Sequence, residues 1–109
     1  MNSNVQVVST DTAIELVSDR FRRRILLTLI QSDEEAIDLE TLLDAIDSPA
    51  ESVATARSRR NRLVSLQHNH LPKLAECGVI DYDFRSETVR YNETTSVEKL
   101  LSFVTDELT

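Results

Sequence analysis

The residues best suited to do chemistry lie in one run. Between residues 52 and 75 stand Arg57, Arg59, Arg60, Asn61, Arg62, Ser65, His68 and Asn69, and the run holds five bases, Lys73 included, with no carboxylate. A guanidinium neutralises a phosphate or grips a guanine edge with two parallel donors. Asparagine, serine and histidine side chains carry the paired donors and acceptors that base edges match. Residues 33–51 are the opposite, with eight carboxylates and no base. The arginines therefore have two readings. They reach phosphates and bases, or they form a salt network with those carboxylates, inside one chain or across a dimer. The chain as a whole has 19 acidic against 12 basic residues, a net charge of −7. Such a total argues against nucleic acid, yet the sign of one face decides more than the sum.

Other polar groups carry weaker signals. His68 and His70 are two positions apart, which on a helix sends them about 200° from each other. They cannot chelate one ion from a straight helix, and His70, on an apolar stripe, is expected to be a satisfied interior or interface residue. The single cysteine, Cys77, excludes an internal disulfide and a CxxC metal site, and is expected to behave as a small buried hydrophobe. Gln67 beside the apolar seam suggests a partner or dimer contact. A second cluster, Arg20, Arg23 and Arg24, either touches phosphate or forms a solvated face pairing with Asp19 or Glu15. There is no nucleophile elbow, glycine-rich phosphate loop or HExxH pattern. Neither catalysis, a cofactor nor a metal is expected.

The elements that must position these residues can be read in order. Residues 1–10 read as a loose tail. Asp11 is a cap for a helix over 11–17, and Asp19 for a second over 20–31 with Phe21, Ile25, Leu26, Leu29 and Ile30 inward. Ile37 is expected to pair with a later hairpin, and Asp38 to cap a helix over 39–46 on Leu39, Leu42, Leu43 and Ile46. Ser48-Pro49-Ala50-Glu51 is a capping box with proline at the first helical position, opening one long helix that ends before Gly78. If that helix is straight, its seam is Leu63, Leu66, His70, Leu71, Leu74 and Cys77, with Val64 at the margin. Ser58, Asn61, Arg62, Ser65, His68 and Asn69 then face outward, while Arg59 and Arg60 fall on the seam side. Pro72 removes the N–H for the carbonyl of His68, so a bend is expected at 68–72. Ile80, Tyr82 and Phe84 alternate with Asp81 and Asp83 as a half-buried strand. Thr88 to Tyr91 returns, and Arg85 and Arg90 are the only bases of this hairpin. Thr95-Ser96-Val97-Glu98 is a capping box for a last helix.

That order makes the fold class mainly α with a small β-hairpin, and it matches a winged helix-turn-helix domain with a long helix before the wing and a C-terminal helix. The segments RRRILLTL (22–29), DLETL (38–42), HLPKL (70–74) and GVIDY (78–82) resemble winged-helix domains of haloarchaeal proteins, most of unassigned function, and are distantly similar to ArsR-type repressors. The resemblance covers about residues 11–91. It implies a DNA-binding transcription regulator that works as a dimer on double-stranded DNA. Metal-sensing ArsR-type members use cysteine pairs, and a chain with Cys77 alone does not inherit that property. On such a domain Arg57, Arg59, Arg60, Asn61, Arg62, Ser65, His68 and Asn69 would meet DNA, with Arg85 and Arg90 of the wing touching its backbone. The competing class is a winged-helix protein–protein interaction module that does not bind DNA.

The last helix is expected to make a homodimer interface through Val97, Leu100, Leu101, Val104 and Leu108, with Phe103 at the margin and the 11–17 helix assisting. The alternative is that it folds back onto its own core. The domain is expected over 11–92, followed by this helix over 93–109. No apolar run reaches about 18 residues, residues 1–9 lack signal-peptide character, and a soluble cytoplasmic protein is the expectation. No small-molecule effector is evident. Carboxylate excess with only two lysines, Lys73 and Lys99, is the composition of a surface kept hydrated in concentrated salt, as in a halophilic archaeon.

Overall fold

A computed structural model of the chain describes residues 7–46 and 56–108. Among the described residues, six α-helices and three short strands follow in the order α1 Thr10–Val17, α2 Arg20–Gln31, β1 Ile37–Asp38, α3 Leu39–Ile46, α4 Ala56–Ser65, α5 Leu71–Glu76, β2 Ile80–Asp83, β3 Thr88–Tyr91 and α6 Thr95–Leu108. The expected capping box at Ser48 and Glu51 lies outside the described residues, as does most of the N-terminal tail. The molecule is mainly helical, with one three-stranded antiparallel sheet in the order β1-β3-β2.

Local caps set most boundaries. Asp19 Oδ1 accepts from the Arg22 N–H at 3.0 Å, and Asp38 Oδ1 accepts from the Thr41 N–H at 2.7 Å, so α2 and α3 begin where the sequence places them. α1 begins one residue earlier than expected, because Ser9 rather than Asp11 is its cap and accepts from the Thr12 N–H. Its far end is closed by arginines of α2. Arg22, nearly buried, donates through Nε to the Leu16 carbonyl and through Nη2 to the Glu15 carbonyl, each at 3.0 Å. Arg23 Nη1 donates to the Val17 carbonyl at 2.9 Å. Guanidinium groups at a helix C-terminus satisfy orphan carbonyls and oppose the negative end of the dipole. Arg23, a member of the second arginine cluster, thus serves the backbone of its neighbour, a role that neither reading of that cluster names.

Ile37 pairs with Val89 and Asp38 with Thr88, as the sequence suggests for Ile37. α5 ends in a Schellman cap: Gly78 has φ 81°, its N–H donates to the Ala75 carbonyl, and the Val79 N–H donates to the Leu74 carbonyl. Leu74 and Val79, the apolar pair that accompanies this motif, are both fully buried. The strand expected to run through Phe84 stops at Asp83. The Asp83 carboxylate accepts from the N–H groups of Arg85 and Ser86, which turns the chain, and Phe84 is left exposed with its ring against Tyr82 at 4.6 Å between centroids.

α6 does not stand apart as a separate element. Val97 and Leu101 belong to the same buried cluster as Leu16, Leu26, Leu71 and Val89, and Leu101 is 2% exposed. Leu100 and Val104 are half-buried, and the Leu108 side chain lies outside the described residues. Val97 and Leu101 are therefore core residues of their own chain instead of surface offered to a mate. The reason is that α1, α2 and the sheet leave a side of the core open, and an apolar helix after β3 lies over α1. Its start is fixed by Tyr91, whose hydroxyl donates to Glu98 Oε2 at 2.6 Å and accepts from the Thr94 N–H at 3.2 Å. Glu98 is thus turned to Tyr91, and not back to Thr95 as a capping box would have it.

Replacing Leu101 by alanine is expected to destabilise the chain by about 2–5 kcal/mol. Replacing Phe103, 64% exposed on the same helix, should change stability by less than about 0.5 kcal/mol. Urea unfolding of the two variants checks this, and equal losses would mean that α6 is not part of the core.

Candidate nucleic-acid interface

The basic run occupies a single continuous helical rod. α4 passes into α5 through a π-helical turn, Leu66–His70, in which the Leu71 N–H donates to the Leu66 carbonyl five residues back. Pro72 stands directly after this turn, where it has no N–H to give to His68. Widening the helix by one residue accommodates the missing donor and the proline ring. The distortion thus falls where the sequence places a bend.

The inserted residue changes which side of α4 faces out. One residue is about 100° of helical rotation, so with α5 held by Leu71 and Leu74, the side chains of α4 are turned by that amount from a straight extrapolation. Arg57, Arg60, Asn61, Val64, His68, Asn69 and Pro72 are exposed, at spacings of three and four. Arg60 and Val64, expected at or beside the seam, are on this outward face. Ser58, Arg62 and Ser65, expected to face fully outward, are half-buried, and Arg62 Nη1 donates to the Ser58 hydroxyl at 3.0 Å. Arg59 turns towards α3 and meets Asp44 Oδ1 at 2.7 Å. The salt-network reading therefore describes Arg59, whereas among the described residues no carboxylate lies within ion-pair distance of Arg57 or Arg60.

The hairpin bases are placed differently. Arg85 is exposed in the turn. Arg90 stands across from Asp81 on β2 and 3.9 Å from Glu35, so carboxylates surround it and it does not join the arginines of α4. The hairpin tip is nonetheless tied to the rod. Gln67, in the π turn, donates to Glu87 Oε2 at 3.5 Å. A partner for Gln67 is thus found within the same chain, and no dimer contact is needed to satisfy it. The Tyr82 hydroxyl is held protonated by burial and by the charge of Glu87.

Between α4 and the start of α2 lies an open depression of about 360 Å³, lined by Phe21, Ser58, Asn61, Arg62, Ser65 and His70. His70 is 6% exposed, and Phe21 meets it edge-on with centroids 4.9 Å apart. It is interior as expected but not satisfied, since its Nδ1 is buried without a hydrogen-bond partner. Burial pushes its pKa down from 6.5; Asp19 opposes that shift, and Arg22 adds to it. Cys77 is half-buried against the core, and burial raises its thiol pKa. Among the described residues no cluster of histidine, cysteine and carboxylate could hold a metal ion, and no helix is long and apolar enough to cross a membrane.

The molecule is thus a small α+β domain that presents a basic, carboxylate-free helix face. The chain belongs to the family described as "Domain of unknown function (DUF7344)", whose model matches residues 14–90. The matched stretch contains α4, the π turn and all of the hairpin but Tyr91, and ends before α6 begins. No curated protein and no solved structure matches the chain.

The buried His70 makes stability depend on pH. The unfolded chain takes up the His70 proton near pH 6.5 and the folded chain only at lower pH. Between those values the unfolded state holds more protons, so stability falls as the pH drops through that window. The carboxyls of Glu15, Asp19 and Asp38, lowered from 4.5, 3.8 and 3.8, lose their stabilising effect only further down. Urea midpoints measured from about pH 7.5 to about pH 5.5 should decline in the wild type and decline less in His70→Phe. Parallel slopes would assign the effect to other groups.

Proposed function

We propose that this chain is a winged helix-turn-helix domain that binds double-stranded DNA as a sequence-specific transcription regulator. The element order α2, β1, α3, α4–α5, β2, β3 suits that fold, with α3 as the supporting helix, α4–α5 as the recognition helix and the 80–91 hairpin as the wing. The observation that carries the reading is the outward stripe Arg57, Arg60, Asn61, His68 and Asn69 on a chain of net charge −7. A solvated face of so acidic a chain has no need of a run without carboxylates. Phosphates give one, and the amide and imidazole groups between the arginines suit base edges.

The positions divide the work. Arg57 and Arg60 reach the backbone or a guanine, while Asn61, His68 and Asn69 read edges. Arg62 and Ser65, half-buried beside Phe21, position the helix. Arg85 is the wing's backbone contact, and Arg90, among carboxylates, contributes little. A two-fold pair would meet through what remains exposed on α6, Phe103 with the half-buried Leu100 and Val104, and would set half-sites about 34–36 Å apart.

Fluorescence anisotropy with random and selected duplexes between about 0.1 and 1 M salt tests the reading. Arg57→Ala/Arg60→Ala should weaken binding to every duplex and reduce the slope of log K against log salt by about 2, near 0.9 for each phosphate no longer neutralised. Arg59→Ala should reduce it less, because Asp44 already engages that guanidinium. A wild-type chain that binds no duplex at the low-salt end overturns the reading and favours a protein-binding module. Sedimentation equilibrium of Phe103→Asp checks the pairing: a shift from dimer to monomer supports it, and an unchanged dimer mass removes α6 from the interface.

A further inference from the structure

One residue on the α4 face does not share its chemistry. Val64 is 48% exposed, and it sits at the middle of the stripe. Arg60 and Asn61 lie four and three residues before it, His68 four after, and Asn69 five after. Within α4, residues three and four apart have neighbouring side chains, with Cβ atoms about 5–6 Å apart, and His68 and Asn69 in the π turn are the next exposed positions along the rod. Val64 is not among the hydrophobic residues that pack against the core, although its neighbour Leu63 is. It is therefore not part of the core. A β-branched residue is also a poorer helix former than the alanine or lysine that would suit a merely solvated position.

Single exposed apolar residues are common and carry no meaning by themselves. Val64 differs because of what surrounds it. Every other exposed side chain from Arg57 to Asn69 on this face is a hydrogen-bonding group. In the major groove the base edges offer donors, acceptors and one apolar group, the C5 methyl of thymine. A face with hydrogen-bonding groups one turn to either side of a branched aliphatic side chain matches that pattern in kind and in spacing. Resting on the DNA-binding reading above, we infer that Val64 is a specificity-determining residue that packs against the C5 methyl of one thymine, next to the base pairs met by Asn61 and His68.

The test separates this inference from the reading it rests on. A duplex is selected from a randomised pool with the wild-type chain, and each thymine is replaced in turn by deoxyuridine, which removes the methyl and leaves base pairing intact. One replacement should weaken wild-type binding about fourfold, the effect of returning one buried methyl to water. With Val64→Ala that same replacement should have a clearly smaller effect, because only one methyl is left to reach the thymine, while the variant keeps its melting temperature and its salt slope. A chain that selects no duplex overturns both the DNA-binding reading and this inference. A chain that selects a duplex but is indifferent to every deoxyuridine, or a Val64→Ala variant that stays equally sensitive, overturns the inference alone.

Discussion

The proline at position 72 is the constraint on which the outward face of this protein depends. Its missing N–H cannot serve the His68 carbonyl, and the helix answers by closing a five-residue hydrogen bond from Leu71 to Leu66. α5 has no freedom to absorb the extra residue. Leu71 and Leu74 are fully buried, and the Schellman cap at Gly78 locks its end to β2. The rotation therefore falls in α4, which is held less firmly. It carries Arg60 and Val64 outward and brings Arg59 to Asp44.

A widened turn is a weak point in a helix, and the fold supports it from two sides. On one side His70 packs against Phe21. On the other, Gln67 reaches the hairpin through Glu87. Glu87 is held at φ 55°, a left-handed conformation that costs a non-glycine residue about 1–2 kcal/mol. It occupies that position with two bonds at once, its carbonyl accepting from the Leu39 N–H at 3.0 Å and its carboxylate from Gln67. The start of α3, the hairpin tip and the π turn are thus coupled through one residue. Motion of the hairpin relative to α4 must break that link.

What is legible in the sequence is what depends on neighbours a few residues away. Asp19, Asp38 and Gly78 mark helix ends through bonds that span three to five positions, and all three act where the sequence places them. The pairing of Ile37 follows from its isolation between an acidic turn and a cap. The departures share a different cause. Periodicity shows that α6 has an apolar stripe but not whose core the stripe covers, and Val97 and Leu101 are buried in their own chain. Arg23 looks like surface charge in the sequence and Arg22 carries no signal there, because no local pattern marks a side chain that reaches back six residues to a neighbouring helix. The α4 face departs from its expected orientation because the 100° per residue of a straight helix does not hold through a turn that carries one residue more. Pro72 is the available signal. It locates the distortion, though not the rotation that follows from it.

The same rotation resolves the tension between an acidic chain and a basic face. Had α4 continued straight, Arg60 would point at the body, and the outward side would hold one arginine among serines and asparagines. With the turn, Arg57 and Arg60 stand exposed, and it is Arg59 that meets Asp44. Screening then decides how far the rest of the molecule is felt. At 0.15 M salt the Debye length is about 8 Å and at 1 M about 3 Å, so carboxylates elsewhere on the surface are progressively hidden from anything touching this face. Short-range contacts survive such screening better than long-range attraction. Concentrated salt thus removes the repulsion between an acidic chain and a polyanion, and it also removes most of the arginines' pull. Contacts that do not depend on charge, amide to base edge and apolar side chain to apolar group, then have to carry more of any discrimination this face makes.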